Sequence, residues 1–362
     1  MKSATVTKGV FVIVLSITVC LLIVEGGIRV YSAVLFPRMM ILDGSLGWRH
    51  AANVSKPFVN EFGERAFTVQ NEYGHRGKTY PPTKTGGKYR ILVLGDSFTE
   101  AVQVGEADLF TSLMEAAHDG LEVLNAGVGG YGTIQEYLYL VREGLRFNPD
   151  LVLLMIFEND LSDNCLSHYP AFGPRPYGVF AQGKVTIVEQ PDPADFLKYT
   201  LPAPFALFLS QHSYLFYFLN DNVYHKLFAD RMRRLHQADL QKTENCGKYD
   251  VFYAIVDRIR QLLGQKGVAL GLVLIPSRDN VTKGYSEALG PIEEYCQRQG
   301  LVCWSLLDRF KKEQGASTQL YFPIDIHWTK AGHKVAADEI GARVRAVMRV
   351  PALTTVSNSA SQ

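Results

Sequence analysis

Short continuous apolar runs alternate with stretches of helical periodicity along most of this chain. Four of the runs end at or beside Gly, Asn, Glu or Pro, as buried parallel strands do. They occupy residues 90–95, 121–125, 151–157 and 268–275. Apolar residues three and four positions apart predict helices at residues 133–147, 249–263 and 330–348. The alternation predicts an α/β fold in which helices cover both faces of a mostly parallel sheet.

The N-terminus carries a longer apolar run. Residues 9–24 have no charge, and at about 1.5 Å per residue they reach roughly 24 Å, slightly short of a bilayer core. The apolar pattern resumes after Glu25 and Arg29, which lie four apart and can pair on one helix face. We therefore expect an uncleaved transmembrane signal-anchor at residues 9–36, after a short tail at 1–8. A cleaved signal peptide is the competing interpretation, although no convincing cleavage site follows the run.

Basic residues flank the anchor on both sides, so the positive-inside rule does not orient it. A large domain that follows an N-terminal signal-anchor is usually translocated, and we expect this one on the extracytoplasmic side of the membrane. Four of the five cysteines would then face an oxidising compartment, where they either pair or remain buried thiols. They are Cys165, Cys246, Cys296 and Cys303.

The rest of the chain divides by composition. A polar, Gly- and Pro-rich linker at 37–88 approaches the main domain, which we place at 89–349, and a polar tail at 350–362 is predicted to be disordered. Turn-rich and then aromatic sequence at about 161–246 interrupts the strand–helix alternation, so we interpret it as a helical insertion. The insertion either buries its own aromatic side chains or presents them as a lid or a membrane-facing surface.

Overall composition excludes several classes of protein. The 37 basic and 36 acidic residues leave a net charge of +1, so no excess positive field favours nucleic acid. The cysteines and histidines have no zinc-ligand spacing, and we expect no metal and no other cofactor.

Candidate chemistry begins where the first predicted strand of the sheet ends. Gly95-Asp96-Ser97 places a serine at the carboxyl edge of the sheet, where open α/β folds bind ligands. Near the C-terminus, Asp325 stands two residues before His327, so its carboxylate can hold the imidazole in the tautomer that accepts a proton from a serine. We expect these residues to meet at one edge of the sheet.

Acyl transfer also needs hydrogen-bond donors for a developing oxyanion. The glycine-rich loop at 125–132 follows the second strand and offers backbone N–H groups, and Asn159 follows the third strand and offers an amide. Neighbouring residues receive structural roles: Asp96 is predicted to be a turn residue, Glu100 to be solvated, and His333 to be a buried or helix-capping histidine.

Two other functions fit part of the sequence. Residues 127–132 match the GxGxxG pattern of dinucleotide-binding loops, with Glu158 at the end of the next strand. A dinucleotide site would leave the Gly-Asp-Ser and Asp-x-His motifs unexplained. A non-catalytic binding domain on the same fold is the other alternative.

The four motifs, in this order, resemble the blocks of the SGNH (GDSL-like) hydrolase superfamily. The resemblance implies a flavodoxin-like three-layer α/β/α sandwich and a serine-dependent ester hydrolase that forms an acyl-serine intermediate. It also implies the site residues: a nucleophile, two oxyanion-hole residues, and an acid and base that activate the nucleophile. In that order they are Ser97, Gly130, Asn159, Asp325 and His327.

Two departures from the superfamily pattern bear on specificity. Phe157 stands where the third block commonly has Gly, and one residue separates Asp325 from His327 where two are usual. The Asp-x-His-Trp form resembles the block of alginate-type O-acetyltransferases, so acyl transfer to a sugar hydroxyl stands beside hydrolysis. Together with the anchor and the N-x-x-G-x-R word at 71–76, it suggests acyl esters of envelope or exopolysaccharide sugars as substrates, and the envelope polysaccharide machinery as partner.

Overall fold

In the computed structural model, the described residues are 2–35, 37–84, 86–169, 172–189, 246–315 and 318–349. Within the insertion they also include 205, 208–209, 212–219, 223, 234 and 237. Met1, Phe36 and the predicted tail at 350–362 lie outside the described residues.

Helices and strands alternate through the main domain, and the N-terminal third adds a long helix and four short strands. The helices are α1 Lys2–Leu35, α2 Ser97–Glu100, α3 Phe110–Ala116, α4 Thr133–Arg142, α5 Asn159–Asp163, α6 Tyr214–Leu219, α7 Lys248–Gln265, α8 Arg278–Lys283, α9 Gly290–Gln299, α10 Leu307–Glu313 and α11 Lys330–Arg349. The strands are β1 Met40–Asp43, β2 Gly47–His50, β3 Val54–Val59, β4 Arg65–Gln70, β5 Tyr89–Leu94, β6 Leu121–Asn125, β7 Leu151–Ile156, β8 His168–Tyr169, β9 Gly173–Pro174, β10 Tyr177–Ala181, β11 Lys184–Val188, β12 Ala269–Leu274 and β13 Val302–Ser305.

The central sheet has five parallel strands in the order β6-β5-β7-β12-β13. This is the flavodoxin-like order, in which the chain runs outward from β5 first to one side and then to the other. Four of these strands are those predicted from the apolar runs. The fifth, β13, is a short strand at one edge of the sheet and is only partly buried.

Side chains of the sheet alternate between two cores, as the pleat requires. Leu92 and Leu94 of β5 face the core that α4 and α7 cover. Ile91 and Val93 face the opposite core, which α3 and α11 cover. Both faces of the sheet are therefore covered, and the predicted three-layer α/β/α sandwich is confirmed.

The approach segment, 37–88, packs against the main domain as two antiparallel hairpins, β1–β2 and β3–β4. Trp48 of β2 is 1% exposed and belongs to the core beneath α4. Arg76, the last residue of the N-x-x-G-x-R word, is buried and donates a hydrogen bond to the Val104 carbonyl at 2.7 Å. These contacts make the hairpins part of the framework that supports the loops after β5.

A disulfide between Cys165 and Cys246 closes the insertion at its base, with the two Cα atoms 6.2 Å apart. Cys296 and Cys303 are free thiols. Two small hairpins, β8–β9 and β10–β11, follow Cys165 and lie beside α4 and α7.

The described aromatic residues of the insertion are not all buried among themselves. Phe205 and Phe208 are 51% and 56% exposed, and Phe218 of α6 is 39% exposed. The exposure of these three rings favours the alternative of a lid or membrane-facing surface; most other residues of that stretch lie outside the described residues.

The N-terminal helix α1 includes an apolar segment, Thr7–Ser32, whose most apolar 18-residue stretch has a mean hydropathy of at least 1.2 and is not buried against the rest of the protein. By length and composition this segment is able to cross a membrane. A signal sequence near an N-terminus has the same properties, so the segment fits either of the two expectations.

Candidate active site

The loops that follow β5, β6 and β7 meet at the carboxyl edge of the sheet. Leu94 of β5 pairs with Leu154 of β7, so Ser97 and Asn159 stand at corresponding places just beyond neighbouring strands. The glycine loop after β6 lies on the other side of Ser97 and is tied to β5 by hydrogen bonds from Ala126 and Val128 to the carbonyls of Val93 and Gly95. Parallel topology therefore brings the three predicted loops together.

Ser97, His327 and Asp325 form a hydrogen-bonded chain. The Oγ of Ser97 lies 2.7 Å from Nε2 of His327. On the other side of the ring, Nδ1 of His327 hydrogen-bonds Oδ1 of Asp325. With Nδ1 donating to the carboxylate, Nε2 is left as the acceptor of the serine proton. This geometry makes Ser97 a candidate nucleophile and His327 its base.

The short Asp-x-His spacing is accommodated by a tight turn. Oδ1 of Asp325 accepts the backbone N–H of His327 at 2.9 Å as well as its ring Nδ1. The turn is closed by a hydrogen bond from the Phe322 N–H to the His327 carbonyl at 3.0 Å. One carboxylate oxygen thus fixes both the backbone and the ring of the histidine.

Two side chains from outside this turn hold Asp325. Gln103 donates from Nε2 to Oδ2 of Asp325 at 3.1 Å. Glu61, at the tip of the β3–β4 hairpin, accepts the backbone N–H groups of Ile324, at 2.9 Å, and of Asp325. Burial alone would raise the pKa of Asp325, but hydrogen bonds from His327 and Gln103 and the charge of His327 lower it to about 2. Asp325 is therefore ionised at neutral pH. Sequence reasoning missed both supporting residues, because neither belongs to a motif.

Aromatic rings form the wall behind His327. Phe98, next to the serine, lies 4.8 Å from the imidazole between ring centroids and 4.5 Å from Phe157. Phe157 thus fills the place of the usual glycine with a ring that supports Phe98. Trp328 is fully buried and packs edge-on against Phe98 at 5.3 Å, which explains an indole directly after the histidine.

Two backbone N–H groups near the serine have no hydrogen-bond partner among the described residues: those of Ser97 and Gly130. Gly130 adopts φ +75°, and a Cβ there would come within 2.9 Å of the Tyr169 ring. A glycine is therefore needed at this position for both conformation and space. Unpaired N–H groups in this position are suited to binding an oxyanion.

A buried carboxylate orients the glycine loop. Glu100 accepts the Gly129 N–H at 2.7 Å through Oε2 and contacts His50 Nε2 at 2.8 Å through Oε1. Trp48 donates from its indole N–H to the Gly129 carbonyl at 3.0 Å. The prediction that Glu100 is solvated is wrong: its side chain is 7% exposed, because the β1–β2 hairpin covers it. The sequence does not show that this hairpin returns to the loop.

The Asn159 amide is engaged with carboxylates beneath the site. Its Nδ2 donates to Asp163 at 2.9 Å, and its side chain hydrogen-bonds Asp96. Asp96 accepts the Phe98 N–H at 2.9 Å, as expected of a turn residue at the start of α2. Burial raises the pKa of Asp96 to about 6, although the Phe98 hydrogen bond opposes the shift. Asn159 thus stands at the predicted edge, held by a buried acidic group.

Buried acidic residues continue behind Asn159. Glu136 of α4 and Asp160 are almost fully buried, and burial raises the pKa of each well above its usual range. Arg175, also buried, lies 3.6 Å from Asp163. Burial and the repulsion between neighbouring carboxylates both favour the protonated forms of Glu136 and Asp160.

The remaining predicted features have structural roles. His333 is buried, accepts the Phe110 N–H at Nδ1 at 3.4 Å, and has its pKa lowered by burial to about 3. The Gly129 N–H of the glycine-rich loop donates a hydrogen bond to the Glu100 carboxylate. A carboxylate at this position would repel a pyrophosphate, so the loop does not fit a dinucleotide. Within the described ranges, no group of three or more His, Cys, Asp or Glu residues is arranged to hold a metal.

Three solved structures illustrate what this chain is similar to. A member of the lipolytic G-D-S-L family from Veillonella parvula has 12% identity and a TM-score of 0.40, covering 72% of this chain and 100% of that chain. An acetyl xylan esterase has 16% identity and a TM-score of 0.37, covering 70% and 99%. A GDSL-like lipase from Bacteroides thetaiotaomicron has 10% identity and a TM-score of 0.37, covering 71% and 88%.

Sequence comparison gives a narrower match. No curated protein matches the chain. Residues 235–360, about a third of the chain, match the family described as SGNH hydrolase-like domain, acetyltransferase AlgX. This region contains Asp325 and His327, whereas the Gly-Asp-Ser word and the oxyanion loops precede it. The family match thus covers the acid–base end of the candidate site, and the ordered motifs at the nucleophile end resemble the blocks of SGNH (GDSL-like) hydrolases.

Proposed function

We propose that Ser97 is the nucleophile of an acyl-serine enzyme that takes an acyl group from an ester. The observation that carries this proposal is the 2.7 Å contact between Ser97 Oγ and His327 Nε2, with Nδ1 of the same ring on the Asp325 carboxylate. His327 removes the hydroxyl proton as Ser97 attacks the ester carbonyl. Ionised Asp325 stabilises the imidazolium that forms.

The tetrahedral oxyanion is bound by the free N–H groups of Ser97 and Gly130 and by the Asn159 amide. To reach the oxyanion, one N–H of the amide leaves its carboxylate partner or is shared with it. Such donors are each typically worth about 2.7 to 4 kcal/mol of barrier lowering. His327 then returns its proton to the leaving alcohol, and the acyl-serine remains.

The second half of the reaction decides between two activities. Water resolves the acyl-serine in an esterase, and an acceptor hydroxyl resolves it in a transferase. Ester hydrolysis is the reaction that the triad supports without a further partner. Transfer of an acetyl group to a sugar hydroxyl is the second candidate, favoured by the acetyltransferase description of the matching family. Envelope or exopolysaccharide sugars, with their assembly machinery, are the proposed substrates and partners.

We also infer that α1 anchors the domain on the extracytoplasmic side of a membrane. The Cys165–Cys246 disulfide supports this placement, because disulfides persist in oxidising compartments.

The first test is labelling with a fluorophosphonate, which reacts with activated serines. Intact mass should show one adduct on the wild-type chain and none on Ser97→Ala. Ser45→Ala is the matched control, since Ser45 is also half-buried and lies in a hairpin without a histidine partner. Labelling that persists in Ser97→Ala would refute the proposal.

The product that receives the acyl group distinguishes hydrolysis from transfer. An aryl acetate is supplied with and without a sugar oligomer, and both free acetate and acetylated oligomer are measured by mass. Acetylated product whose yield rises with acceptor concentration would establish transfer; acetate alone would establish hydrolysis.

A further inference from the structure

A second surface of interest lies on the insertion, among residues that belong to none of the catalytic motifs. Large apolar side chains that occur close together in sequence are exposed to 39% or more. They are Phe205, Phe208, Phe218, Leu219 and Val223. We call these residues the aromatic surface. Contiguous apolar patches that are exposed on a protein are typical of contact surfaces.

The segment that precedes Phe218 and Leu219 is hydrogen-bonded to the N-terminal helix through one carboxylate. Glu25 of α1 accepts hydrogen bonds from the Ser213 hydroxyl at 2.8 Å and from the backbone N–H groups of Tyr214 and Leu215 at 2.8 and 2.9 Å. These N–H groups open the short helix α6, so the carboxylate satisfies donors that the helix itself leaves unpaired.

Arg29 completes the connection. It donates to Glu25 at 2.8 Å and to the His212 carbonyl at 2.5 Å, and its guanidinium lies 5.5 Å from the centre of the Tyr214 ring. The two charged residues that interrupt the apolar run of α1 are therefore paired with each other and with the insertion.

The position of Glu25 along α1 fixes the depth of this contact. The uncharged run at 9–24 spans roughly 24 Å, so Glu25 follows it at the end nearer the main domain, where hydrocarbon gives way to lipid headgroups. A carboxylate at that depth is tolerated only with close partners, which Arg29 and the start of α6 provide. The residues that carry the aromatic surface begin at the same level.

We propose that the aromatic surface binds the lipid bilayer itself, as an interfacial element that lies beside the membrane-spanning helix. Lipid is the occupant because the start of α6, the helix that carries Phe218 and Leu219, is hydrogen-bonded to α1 at a depth where lipid surrounds α1. Phe and Leu side chains are typical of the apolar face that an interfacial element buries at the boundary between headgroups and acyl chains. The proposal rests on the membrane placement of α1 and not on the acyl chemistry.

A second membrane contact would restrict rotation of the domain about its anchor. A single helix leaves the domain free to turn, whereas an adjoining interfacial element holds one side of it against the bilayer. The Cys165–Cys246 disulfide would transmit this restraint, since it joins the end of the insertion to the loop after α5.

Quenching by brominated lipid tests the proposal in the full chain. Phe208→Trp is reconstituted in phosphatidylcholine vesicles with or without bromine on the acyl chains, and the signal of the unmodified chain is subtracted. The native Trp48, Trp304 and Trp328 are buried in the main domain and give a constant background. Ile17→Trp, in the centre of the apolar run, is the positive control, and Phe67→Trp, 52% exposed on β4, is the negative control.

We expect brominated lipid to quench the fluorescence of Phe208→Trp. The quenched fraction should be at least half of that measured for Ile17→Trp, and the fluorescence of Phe67→Trp should not be quenched. An unquenched Phe208→Trp beside a quenched Ile17→Trp would overturn the proposal. If Ile17→Trp is also unquenched, the membrane placement fails and the proposal fails with it.

The role of Glu25 is tested by adding Glu25→Ala. Quenching of Phe208→Trp should then fall by at least half while Ile17→Trp is unaffected; equal quenching would show that Glu25 does not hold the aromatic surface. Fluorophosphonate labelling of Ser97 in the same samples reports the acyl chemistry separately, so failure of this proposal is distinguishable from failure of the proposed function.

Discussion

At the residue scale, the candidate site depends on how Asp325 is held. Its turn lies at the surface: Ile324 is 88% exposed and Ile326 is 57% exposed. Local packing therefore does little to fix the carboxylate. Hydrogen bonds from Gln103 to Asp325, and from the turn's backbone to Glu61, supply that restraint. Both residues act through Asp325 on His327, which makes them positioning residues.

Removal of the hairpin-tip carboxylate should impair turnover. Glu61→Ala frees the Ile324 and Asp325 N–H groups, and we expect kcat to fall about tenfold, as for the loss of a hydrogen bond to a charged group. Because a misplaced Asp325 stabilises the imidazolium less, the acid limb of kcat/KM should move to lower pH. Glu61→Gln keeps one acceptor oxygen and should recover part of the loss.

Glu64→Gln is the matched control, since Glu64 lies on the same hairpin but contacts Asn60 and Lys330 instead of the acid–base turn. A loss of melting temperature in Glu61→Ala with an unchanged pH profile would assign Glu61 a purely structural role.

Asn159→Ala should separate transition-state binding from substrate binding. The amide is proposed to bind the oxyanion, which carries full charge only during reaction, so kcat should fall by about 10²-fold with little change in KM. Steady-state kinetics with an aryl ester provides the measurement. A rise in KM at constant kcat would instead make Asn159 a substrate-binding residue.

At the scale of elements, segments outside the five-stranded sheet complete the site. Glu61 of the β3–β4 hairpin accepts hydrogen bonds from the acid–base turn. In the β1–β2 hairpin, Trp48 donates to Gly129 of the glycine loop, and His50 contacts Glu100, which holds that loop. Tyr169, at the base of the insertion, lies against Gly130. The sheet provides the edge, and these additions determine the shape and orientation of the loops along it.

The disulfide should stabilise the insertion and its base. It closes a loop of 81 residues, for which loop entropy predicts on the order of 4 kcal/mol. The double variant Cys165→Ser, Cys246→Ser should therefore unfold at lower denaturant concentration and show faster hydrogen exchange in β8 to β11. Cys296→Ser, which removes a free thiol, is the control. Equal stability of the two variants would mean that the loop is already constrained in the unfolded chain.

At the scale of the whole molecule, buried ionisable groups tie stability to pH. Burial raises the pKa values of Glu136 and Asp160 above those of the unfolded chain, so their contribution to stability falls as pH rises above the range in which the unfolded carboxyl groups ionise. Neutral, buried His75 and His333 act in the opposite sense: burial lowers each pKa to about 3, and stability falls as pH decreases below about 6.5. The dependence of unfolding free energy on pH contains both effects. Substitution of a single residue therefore measures the contribution of one group.

Glu136→Gln should raise the melting temperature at pH 8 and change it little at pH 4. The amide mimics the protonated acid, so it removes a penalty that exists only where the unfolded glutamate is ionised. The size of the rise at pH 8 measures how far burial raises the pKa of Glu136. Glu143→Gln, at the exposed end of α4, is the control. A rise of equal size at both pH values would contradict a protonated Glu136.

The sequence by itself determined the α/β sandwich, four of the five sheet strands and the loops that bear the candidate chemistry. Apolar runs and helical periodicity depend on neighbours in the chain, and the edge at which parallel strands end follows from topology alone. This is why Ser97, Asp325 and His327 were predicted together although 230 positions separate the serine from the histidine.

Only the tertiary structure decided what surrounds those residues. Glu61, Gln103 and His50 belong to no motif, and their roles arise from contacts between segments that are distant in sequence. The burial of Glu100, the pairing of Cys165 with Cys246 and the link between Glu25 and α6 have the same origin. Such contacts depend on the directions in which hairpins and insertions return to the domain, and no local pattern of polar and apolar residues encodes those directions.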